Sequence, residues 1–290
     1  MKQRISVLLT LGLLLTTVGC MAAHTDTEDG SDGYAAAADG VSYEVPLSRE
    51  EGAEAVSLRW ILHAGGTTPN GYVGSNSIEA MDHSYESGYR AMELDFCWTE
   101  DGYFVCIHDW DAYYADMFGK TGGVTREEFE SVRYGSYGFT SMTLADVADW
   151  MEAHPDTVII TDIKDRNVEA AEVIGEQYPD LRDRFYVQIY AKDDYDAVYN
   201  LGFRNIILTV YALSWEEKTD TADLVRFAKT HPLVGLTYPI ELHEWIDGYT
   251  ARMLDADTPL FVHTVNDSAT QEALFDLGIS GVYTDCGDAQ

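Results

Sequence analysis

The chain has few basic residues. It contains 18 Lys and Arg against 50 Asp and Glu, which gives a formal net charge of −32 at pH 7. Binding to nucleic acid and electrostatic docking on anionic lipid both need a basic face, so the composition argues against both. We interpret the acidity as a solvated acidic surface. With 46% hydrophobic residues over 290 positions, the chain can still build a sizeable core.

The chain also has no long hydrophobic run. Lys2 and Arg4 precede the segment ISVLLTLGLLLTTVG, which ends at Cys20. This run is shorter than the about 20 apolar residues of a membrane-spanning helix, and it is typical of an export signal. The ending TVGC resembles a bacterial lipoprotein signal, although Thr17 departs from the usual Leu. We therefore predict a lipoprotein-type signal peptide at residues 1–20 of an exported protein. The protein is anchored to a membrane through a lipid on Cys20, or secreted if that lipid is not added.

Residues 21–56 lack apolar periodicity. They are small and acidic, which predicts a flexible acidic linker. We find no internal repeat and no second linker after this segment. One domain is therefore expected over residues 57–290.

From residue 57 onward, apolar runs alternate with amphipathic segments. Ile78, Met81 and Tyr85 share one face of a predicted helix, and Thr143 has the position of an N-cap in another. The predicted strands are SLRWILHAG, AMELDFCW, DTVIITDIKD, FYVQIYA, RNIILTVYAL, PLVGLTYPIEL, PLFVHTVN and ISGVYTDC. Eight such units predict an α/β fold, a (β/α)8 TIM barrel, with a short hairpin insertion after strand 2. A doubly wound open sheet is the alternative, but the chain has neither a GxGxxG motif nor a P-loop to support it.

Charged and titratable side chains stand at the ends of these apolar strands. They are His63 after the first strand, Glu93 and Asp95 on one face of the second, Asp162 and Lys164 at the end of the third, and His108 and Asp109 after the hairpin arm. Active sites of TIM barrels lie at the carboxyl edge of the strands. We therefore expect these side chains to converge on one mouth.

Three of these side chains are carboxylates that would share a dry pocket. Glu93, Asp95 and Asp162 can do so only if a cation compensates their charge, and all-oxygen ligation suits Mg²⁺ or Ca²⁺ rather than zinc. A structural ion-pair network bridged by Lys164 is the alternative. The strand-end histidines instead favour acid–base chemistry on a phosphoester, in which the cation and the lysine hold phosphate oxygens.

The segments HAGG, NSIEA, MELDFCWTEDGYFVCIHD, DIK, HTVN and GVYTD resemble the glycerophosphodiester phosphodiesterase family over roughly residues 58–286. The resemblance implies a barrel that hydrolyses glycerophosphodiesters to glycerol phosphate and an alcohol with one divalent cation. A cyclic phosphate, formed by attack of a neighbouring substrate hydroxyl, is the expected intermediate. By position, the resemblance implies His63 and His108 as the acid–base pair, Glu93, Asp95 and Asp162 as metal ligands, and Lys164 and Gln188 as substrate-binding residues.

Three positions depart from the family pattern. Ala64 replaces the arginine of the usual His-Arg-Gly, Asp162 replaces a glutamate, and His263 replaces the tryptophan before TVN. The D-x-K pattern is similar to that of sphingomyelinase D-like phospholipases, and the segments AYYADMFGKTGGV and TVYALSW are aromatic. Phospholipase D-like or phosphatidylinositol-specific phospholipase C-like activity on intact phospholipids therefore stays open. A non-catalytic binding barrel is the third alternative.

Cysteines are scarce, at four in the chain. If Asp101-Gly102 is a two-residue hairpin turn, Cys97 faces Cys106, and an exported protein could join them in a disulfide. The alternative is a pair of buried free thiols. Cys286 is expected to be a core thiol.

Overall fold

The computed structural model describes Tyr43, Pro46 and residues 55–110, 122–132 and 138–286. The predicted signal peptide, Cys20, most of the predicted linker and most of the segment AYYADMFGKTGGV lie outside these residues. The domain boundaries and the lipid anchor therefore stay predictions. No helix in the described ranges combines the length and the apolar character needed to cross a bilayer.

Eight parallel strands close into a barrel, and a ninth short strand pairs with one of them in antiparallel fashion. The strands are β1 Trp60–Leu62, β2 Ala91–Trp98, β3 Phe104–Cys106, β4 Val158–Asp162, β5 Phe185–Ile189, β6 Ile206–Thr209, β7 Gly235–Pro239, β8 Leu260–His263 and β9 Gly281–Thr284. Their order is β1-β9-β8-β7-β6-β5-β4-β2-β3, and a β1–β2 pairing at Leu62 and Met92 closes the ring. The predicted TIM barrel is confirmed, and the open doubly wound sheet is excluded.

Helices fill most of the connections between strands. They are α1 Ile78–Glu86, α2 Arg126–Ser131, α3 Leu144–Ala153, α4 Asn167–Gln177, α5 Tyr195–Asn200, α6 Trp215–Thr219, α7 Thr221–Thr230, α8 Ile240–Trp245, α9 Tyr249–Met253 and α10 Ser268–Asp276. Thr143 caps α3 as predicted: its hydroxyl accepts from Asp146 N–H, and the Asp146 carboxylate accepts from Thr143 N–H. Such a capping box stabilises a helix by about 1 kcal/mol.

The hairpin after β2 differs from its prediction by one residue. Thr99 N–H donates to the Tyr103 carbonyl at 2.6 Å, so the loop has three residues instead of two. Cys97 therefore pairs with Val105 instead of Cys106, and the two cysteines point to opposite faces of the hairpin. Both thiols are free, so of the two alternatives the free thiols are the one found, with Cys106 buried and Cys97 partly exposed.

The expectation for the last cysteine is wrong. Cys286 is exposed and free. It lies two residues beyond the end of β9 at Thr284, where the chain has left the barrel wall. A position outside the strand no longer has the alternation that would turn its side chain into the core.

Two apolar layers support the barrel. The larger layer packs the outer faces of the strands against the helices. The smaller one contains Ile61, Ala91, Val158, Ile160, Tyr186, Ile207, Val234, Phe261 and Tyr283. These residues come from the barrel strands or their edges, and they alternate with residues of the outer layer, so we place them in the interior.

The interior layer explains where the polar side chains point. Strand side chains alternate, so the residue two positions after an interior residue faces the same way. The pairs are Ile61 and His63, Ala91 and Glu93, Ile160 and Asp162, Tyr186 and Gln188, Ile207 and Thr209, Phe261 and His263, and Tyr283 and Asp285. The barrel interior is thus apolar at its amino end and polar toward its carboxyl end.

Candidate active site

A cavity of about 230 Å³ lies at the carboxyl end of the strands. It is lined by His63, Glu93, Asp95, His108, Asp162, Lys164, Gln188, Thr209, Tyr211, His263, Thr264 and Tyr283. The seven residues predicted to have a catalytic, metal-binding or substrate-binding role are all among them, whereas Asp109, which was also expected at this mouth, does not line the cavity. We call the first six, which come from the β1–β4 side, the charged half of the cavity. The other six, which come from the β5–β9 side, are its neutral half.

A larger cavity, of about 1180 Å³, lies at the opposite end of the strands. Two arginines that line it are bonded to other parts of the protein. Arg184 donates to the Met151 and His154 carbonyls, and Arg90 pairs with Asp156 at 2.6 Å. TIM-barrel active sites lie at the carboxyl end of the strands. We therefore place the candidate site in the smaller cavity.

Glu93 is the most constrained carboxylate of the charged half. Its Oε2 accepts from Ala64 N–H at 2.9 Å, while its Oε1 is buried with no hydrogen-bond partner among the described residues. Ala64 presents this N–H from a left-handed conformation with φ 50° and ψ 35°. Burial, and then the charge of Asp95, raise the pKa of Glu93 well above its ordinary value. A cation near Oε1 would relieve both effects.

Asp95 is held by reciprocal hydrogen bonds with Asn76. Asn76 Nδ2 donates to Asp95 Oδ2 at 3.0 Å, and Asp95 N–H donates to Asn76 Oδ1 at 2.9 Å. Lys164 Nζ donates to the other carboxylate oxygen, Asp95 Oδ1, at 3.1 Å. The carboxylate is therefore held at both of its oxygens, and only 2% of the Asp95 surface is exposed.

Asp162 has a different set of partners. Tyr190 Oη and Tyr211 Oη both donate to Asp162 Oδ1, the second at 3.4 Å. Lys164 Nζ lies 3.4 Å from Asp162 Oδ2. Burial, and then the charge of Asp95, raise the pKa of Asp162. For Lys164 the effect of the two aspartates outweighs burial, which acts in the opposite direction, and the pKa is raised.

The ion-pair alternative accounts for only part of this geometry. Lys164 does bridge Asp95 and Asp162, as that alternative requires. It leaves Glu93 Oε1 unpaired, and ligand atoms of His63, Glu93 and Asp95 lie within 4.8 Å of one another. The two carboxylates of this group fit a divalent cation. Asp162 is outside that group of three, so its predicted role as a ligand stays a prediction.

Each histidine of the predicted acid–base pair has a carboxylate partner. His63 Nδ1 lies 2.7 Å from Asp285 Oδ1, and His108 Nδ1 lies 2.7 Å from Asp109 Oδ2. Asn266 Nδ2 in turn donates to Asp285 Oδ2 at 2.6 Å. An engaged Nδ1 leaves Nε2 of each ring for proton transfer.

The environment of His63 also changes its charge. Burial lowers the pKa of His63, but the hydrogen bond with Asp285 and the charges of Glu93 and Asp95 outweigh it and raise the pKa to about 9. The imidazole is therefore protonated at neutral pH when no cation is bound.

The sequence prediction missed several supporting residues. Asn266 and Asp285 end the segments HTVN and GVYTD, so the motifs contained them without showing their role as supports for His63. Asn76 likewise begins the segment NSIEA. Tyr190 belonged to no motif and Tyr211 was noted only within the aromatic segment TVYALSW, and only the fold brings the two side chains to Asp162.

The neutral half contains hydroxyl, amide and imidazole groups. Tyr283 Oη donates to Gln188 Oε1 at 3.0 Å, so the predicted substrate-binding amide is partly engaged by the barrel itself. None of the described residues lining the cavity has a purely hydrocarbon side chain. The arrangement suits a small polar ligand with an anionic part and a hydroxylated part.

Comparisons with known proteins give one matching family model and one shared fold. The model of the Glycerophosphoryl diester phosphodiesterase family matches residues 64–289. A search of curated proteins gives no match.

Three solved structures illustrate the shared fold. A glycerophosphodiester phosphodiesterase from Thermotoga maritima has a TM-score of 0.63 at 22% identity, covering 79% of this chain and 94% of that one. One from Parabacteroides distasonis has a TM-score of 0.63 at 20% identity, with coverages of 79% and 93%. A phosphodiesterase from Oleispira antarctica in complex with the product sn-glycerol-3-phosphate has a TM-score of 0.56 at 16% identity, with coverages of 78% and 92%.

Proposed function

The chain belongs to the glycerophosphoryl diester phosphodiesterase family, and from this premise we propose that it hydrolyses glycerophosphodiesters to glycerol phosphate and an alcohol, using one divalent cation and a pair of histidines. The observation that carries the proposal is the charged half of the cavity. It gathers two histidines, three carboxylates and a lysine around 230 Å³ at the carboxyl end of the barrel.

Glu93 and Asp95 are the proposed ligands of a Mg²⁺ or Ca²⁺ ion, and Asp162 is the proposed third. A bound cation would stabilise negative charge on the phosphate oxygens. Lys164, held between Asp95 and Asp162, would bind a phosphate oxygen as a second positive charge. The Oleispira antarctica neighbour binds sn-glycerol-3-phosphate, which supports a small phosphodiester as the substrate.

His63 and His108 are the proposed acid–base pair. One takes a proton from the attacking hydroxyl, and the other gives a proton to the oxygen of the leaving alcohol. When the nucleophile is a neighbouring substrate hydroxyl, a cyclic phosphate forms, and the same histidines exchange roles to hydrolyse it. Asp285 and Asp109 support this chemistry because each holds the Nδ1 edge of one ring.

Action on intact phospholipids is a second candidate. Trp215 and Trp245 are 58% and 70% exposed. They begin α6 and end α8, the helices that follow the neighbouring strands β6 and β7. Exposed tryptophans suit the interface between a membrane and water. The proposed lipid anchor at Cys20 of an exported protein would keep such a surface close to lipid.

Phosphorus NMR of a substrate panel tests both candidates. The panel contains glycerophosphodiesters, lysophospholipids, sphingomyelin and phosphatidylinositol, each with Mg²⁺ or Ca²⁺ and again with chelator. Release of glycerol phosphate that stops with chelator is the expected result. Cyclic phosphate accumulating from an intact lipid would favour the second candidate. No turnover of any substrate would contradict both and leave a binding barrel.

A further inference from the structure

The neutral half of the cavity contains a histidine for which the proposed mechanism has no role. His263 is the last residue of β8 and lines the same cavity as the acid–base pair. Its ring lies beside those of Tyr211 and Tyr283, with centroid separations of 5.6 and 5.9 Å.

The imidazole of His263 has unused hydrogen-bonding capacity. Its Nε2 is buried without a partner among the described residues, as is the hydroxyl of Thr209 on β6. Phe261, two positions earlier on the same interior face, shows that an aromatic hydrocarbon is accommodated in this part of the barrel. A buried polar atom with no partner bears its full desolvation cost. We therefore expect His263 Nε2 to form a hydrogen bond with a molecule from outside the protein.

The charge state of His263 indicates which chemical group it can bind. Burial and the nearby His63 lower the pKa of His263 to about 4, so the ring is neutral at pH 7. A neutral imidazole offers one donor and one acceptor, and a hydroxyl group offers the same pair. Phosphate is drawn instead to Lys164 in the charged half, and an acyl chain offers no hydrogen bond.

We propose that His263 is a specificity-determining residue that hydrogen-bonds a hydroxyl of the glycerol portion of the substrate. The enzyme then selects diesters with free hydroxyls beside the phosphate over acylated glycerol or simple alkyl groups. This assignment rests on the proposed function, because that function places the phosphate in the charged half. The neutral half is then left for the glycerol carbons and hydroxyls.

Two ligands of matched size test the assignment. sn-Glycerol 3-phosphate and n-propyl phosphate share three carbons and a phosphate and differ in two hydroxyls. Calorimetry with Mg²⁺ present would give the Kd of each for the wild type, His263→Phe and His263→Gln. We expect the wild type to prefer glycerol phosphate by about tenfold, the contribution of one or two neutral hydrogen bonds. His263→Phe should lose most of this preference with the propyl phosphate Kd unchanged, and His263→Gln should retain part of it.

A control and a set of contrary results complete the experiment. His243 bonds Thr250 at 2.9 Å and does not line the cavity, so His243→Phe should leave both Kd values unchanged. The proposal is overturned if the wild type fails to bind glycerol phosphate or shows no preference. It is also overturned if His263→Phe keeps the preference or weakens both ligands equally. Selective binding without hydrolysis of any diester would instead contradict the proposed function and leave the His263 assignment standing.

Discussion

The two halves of the cavity differ in how many of their polar atoms have hydrogen-bond partners within the protein. In the charged half, Asp95 is bonded by Asn76 and Lys164, and His63 is bonded by Asp285. Glu93 Oε1 is the exception there, since it has no partner in the described part of the chain. In the neutral half, Thr209 Oγ1 at the end of β6 and His263 Nε2 at the end of β8 have no hydrogen-bond partner among the residues that the structure describes.

This difference indicates what each half is built to hold. The charged half is preorganised by the protein, so a cation has only one oxygen left to satisfy and meets ligands already in place. The neutral half is uncharged, and among the described residues Thr209 Oγ1 and His263 Nε2 have no partner in it, which suits a ligand that brings its own donors and acceptors. Changes in the charged half should therefore affect turnover and metal binding, whereas changes in the neutral half should affect selectivity.

The largest effect is expected from removing a proton-transfer group of the charged half. His63→Ala or His108→Ala should lower kcat by about 10² to 10⁴, because each removes general acid–base catalysis. Steady-state kinetics on the glycerophosphodiester that turns over fastest would measure the loss. His243→Ala, outside the cavity, should stay within about twofold of the wild type. A variant of either cavity histidine that keeps the wild-type rate would remove it from the acid–base pair.

The next effect concerns the unpaired oxygen of Glu93. Glu93→Gln keeps the shape of the side chain but removes its charge, so affinity for Mg²⁺ or Ca²⁺ should fall by about 100-fold or more. Replacing residues that only hydrogen-bond a metal ligand typically lowers metal affinity by about 10- to 100-fold, and replacing a ligand should cost at least as much. Calorimetric titration of the metal-free protein would measure it. Glu79, which accepts from Thr140 N–H away from the cavity, provides the control Glu79→Gln with unchanged affinity. Equal metal affinity in Glu93→Gln and the wild type would contradict the ligand role.

A smaller effect of the same carboxylate should appear in the pH dependence of stability. The pKa of Glu93 is raised in the folded state, so over the range between its unfolded and folded pKa values the folded state binds more protons. Stability of the metal-free protein should therefore decrease as pH rises from the ordinary glutamate pKa through the raised one. His63, whose pKa is raised to about 9, contributes in the same direction up to that pH.

Thermal unfolding at several pH values would show the trend, and comparison with Glu93→Gln gives the contribution of Glu93 together with the part of the His63 shift that its charge causes. The wild type should lose more stability than the variant as pH rises above the ordinary glutamate pKa, and added Mg²⁺ or Ca²⁺ should reduce the difference. Parallel curves for the two proteins would mean that the cavity does not hold an uncompensated charge on Glu93.

The same contrast explains what the sequence could reveal. Glu93, Asp95 and Asp162 stood out because carboxylates are unusual within apolar strands, and alternation with interior residues put them on one face. The barrel followed from eight repeated strand–helix units. Thr209 and Tyr211 carried no such signal, since threonine and tyrosine are ordinary strand residues. Their position in a cavity depends on which strands become neighbours when the barrel closes.

The hairpin shows a second limit of sequence reasoning. Asp101-Gly102 indicated a turn, and a turn is present, but the loop has three residues and the register shifts by one. A shift of one residue moves a side chain to the other face, so the predicted pairing of Cys97 with Cys106 failed although the hairpin itself was predicted correctly. Turn location is a local property, whereas register also depends on what each face of the strand packs against.

The smallest effect is expected from removing an unpaired hydroxyl of the neutral half, which tests whether that hydroxyl binds the ligand. Thr161 Oγ1 and Thr209 Oγ1 are both buried without a partner among the residues described, but only Thr209 lines the cavity. Replacing either by valine removes an unsatisfied hydroxyl, so each variant should be as stable as the ligand-free wild type or more stable by up to about 1 kcal/mol. With Mg²⁺ and glycerol phosphate present, Thr161→Val should gain as much melting temperature as the wild type does. Thr209→Val should gain less, because its side chain can no longer bond a ligand hydroxyl. Equal gains in melting temperature for the two variants would show that the Thr209 hydroxyl contributes no more to ligand binding than the Thr161 hydroxyl, which lies outside the cavity. The glycerol part of the ligand would then not be bound by the neutral half.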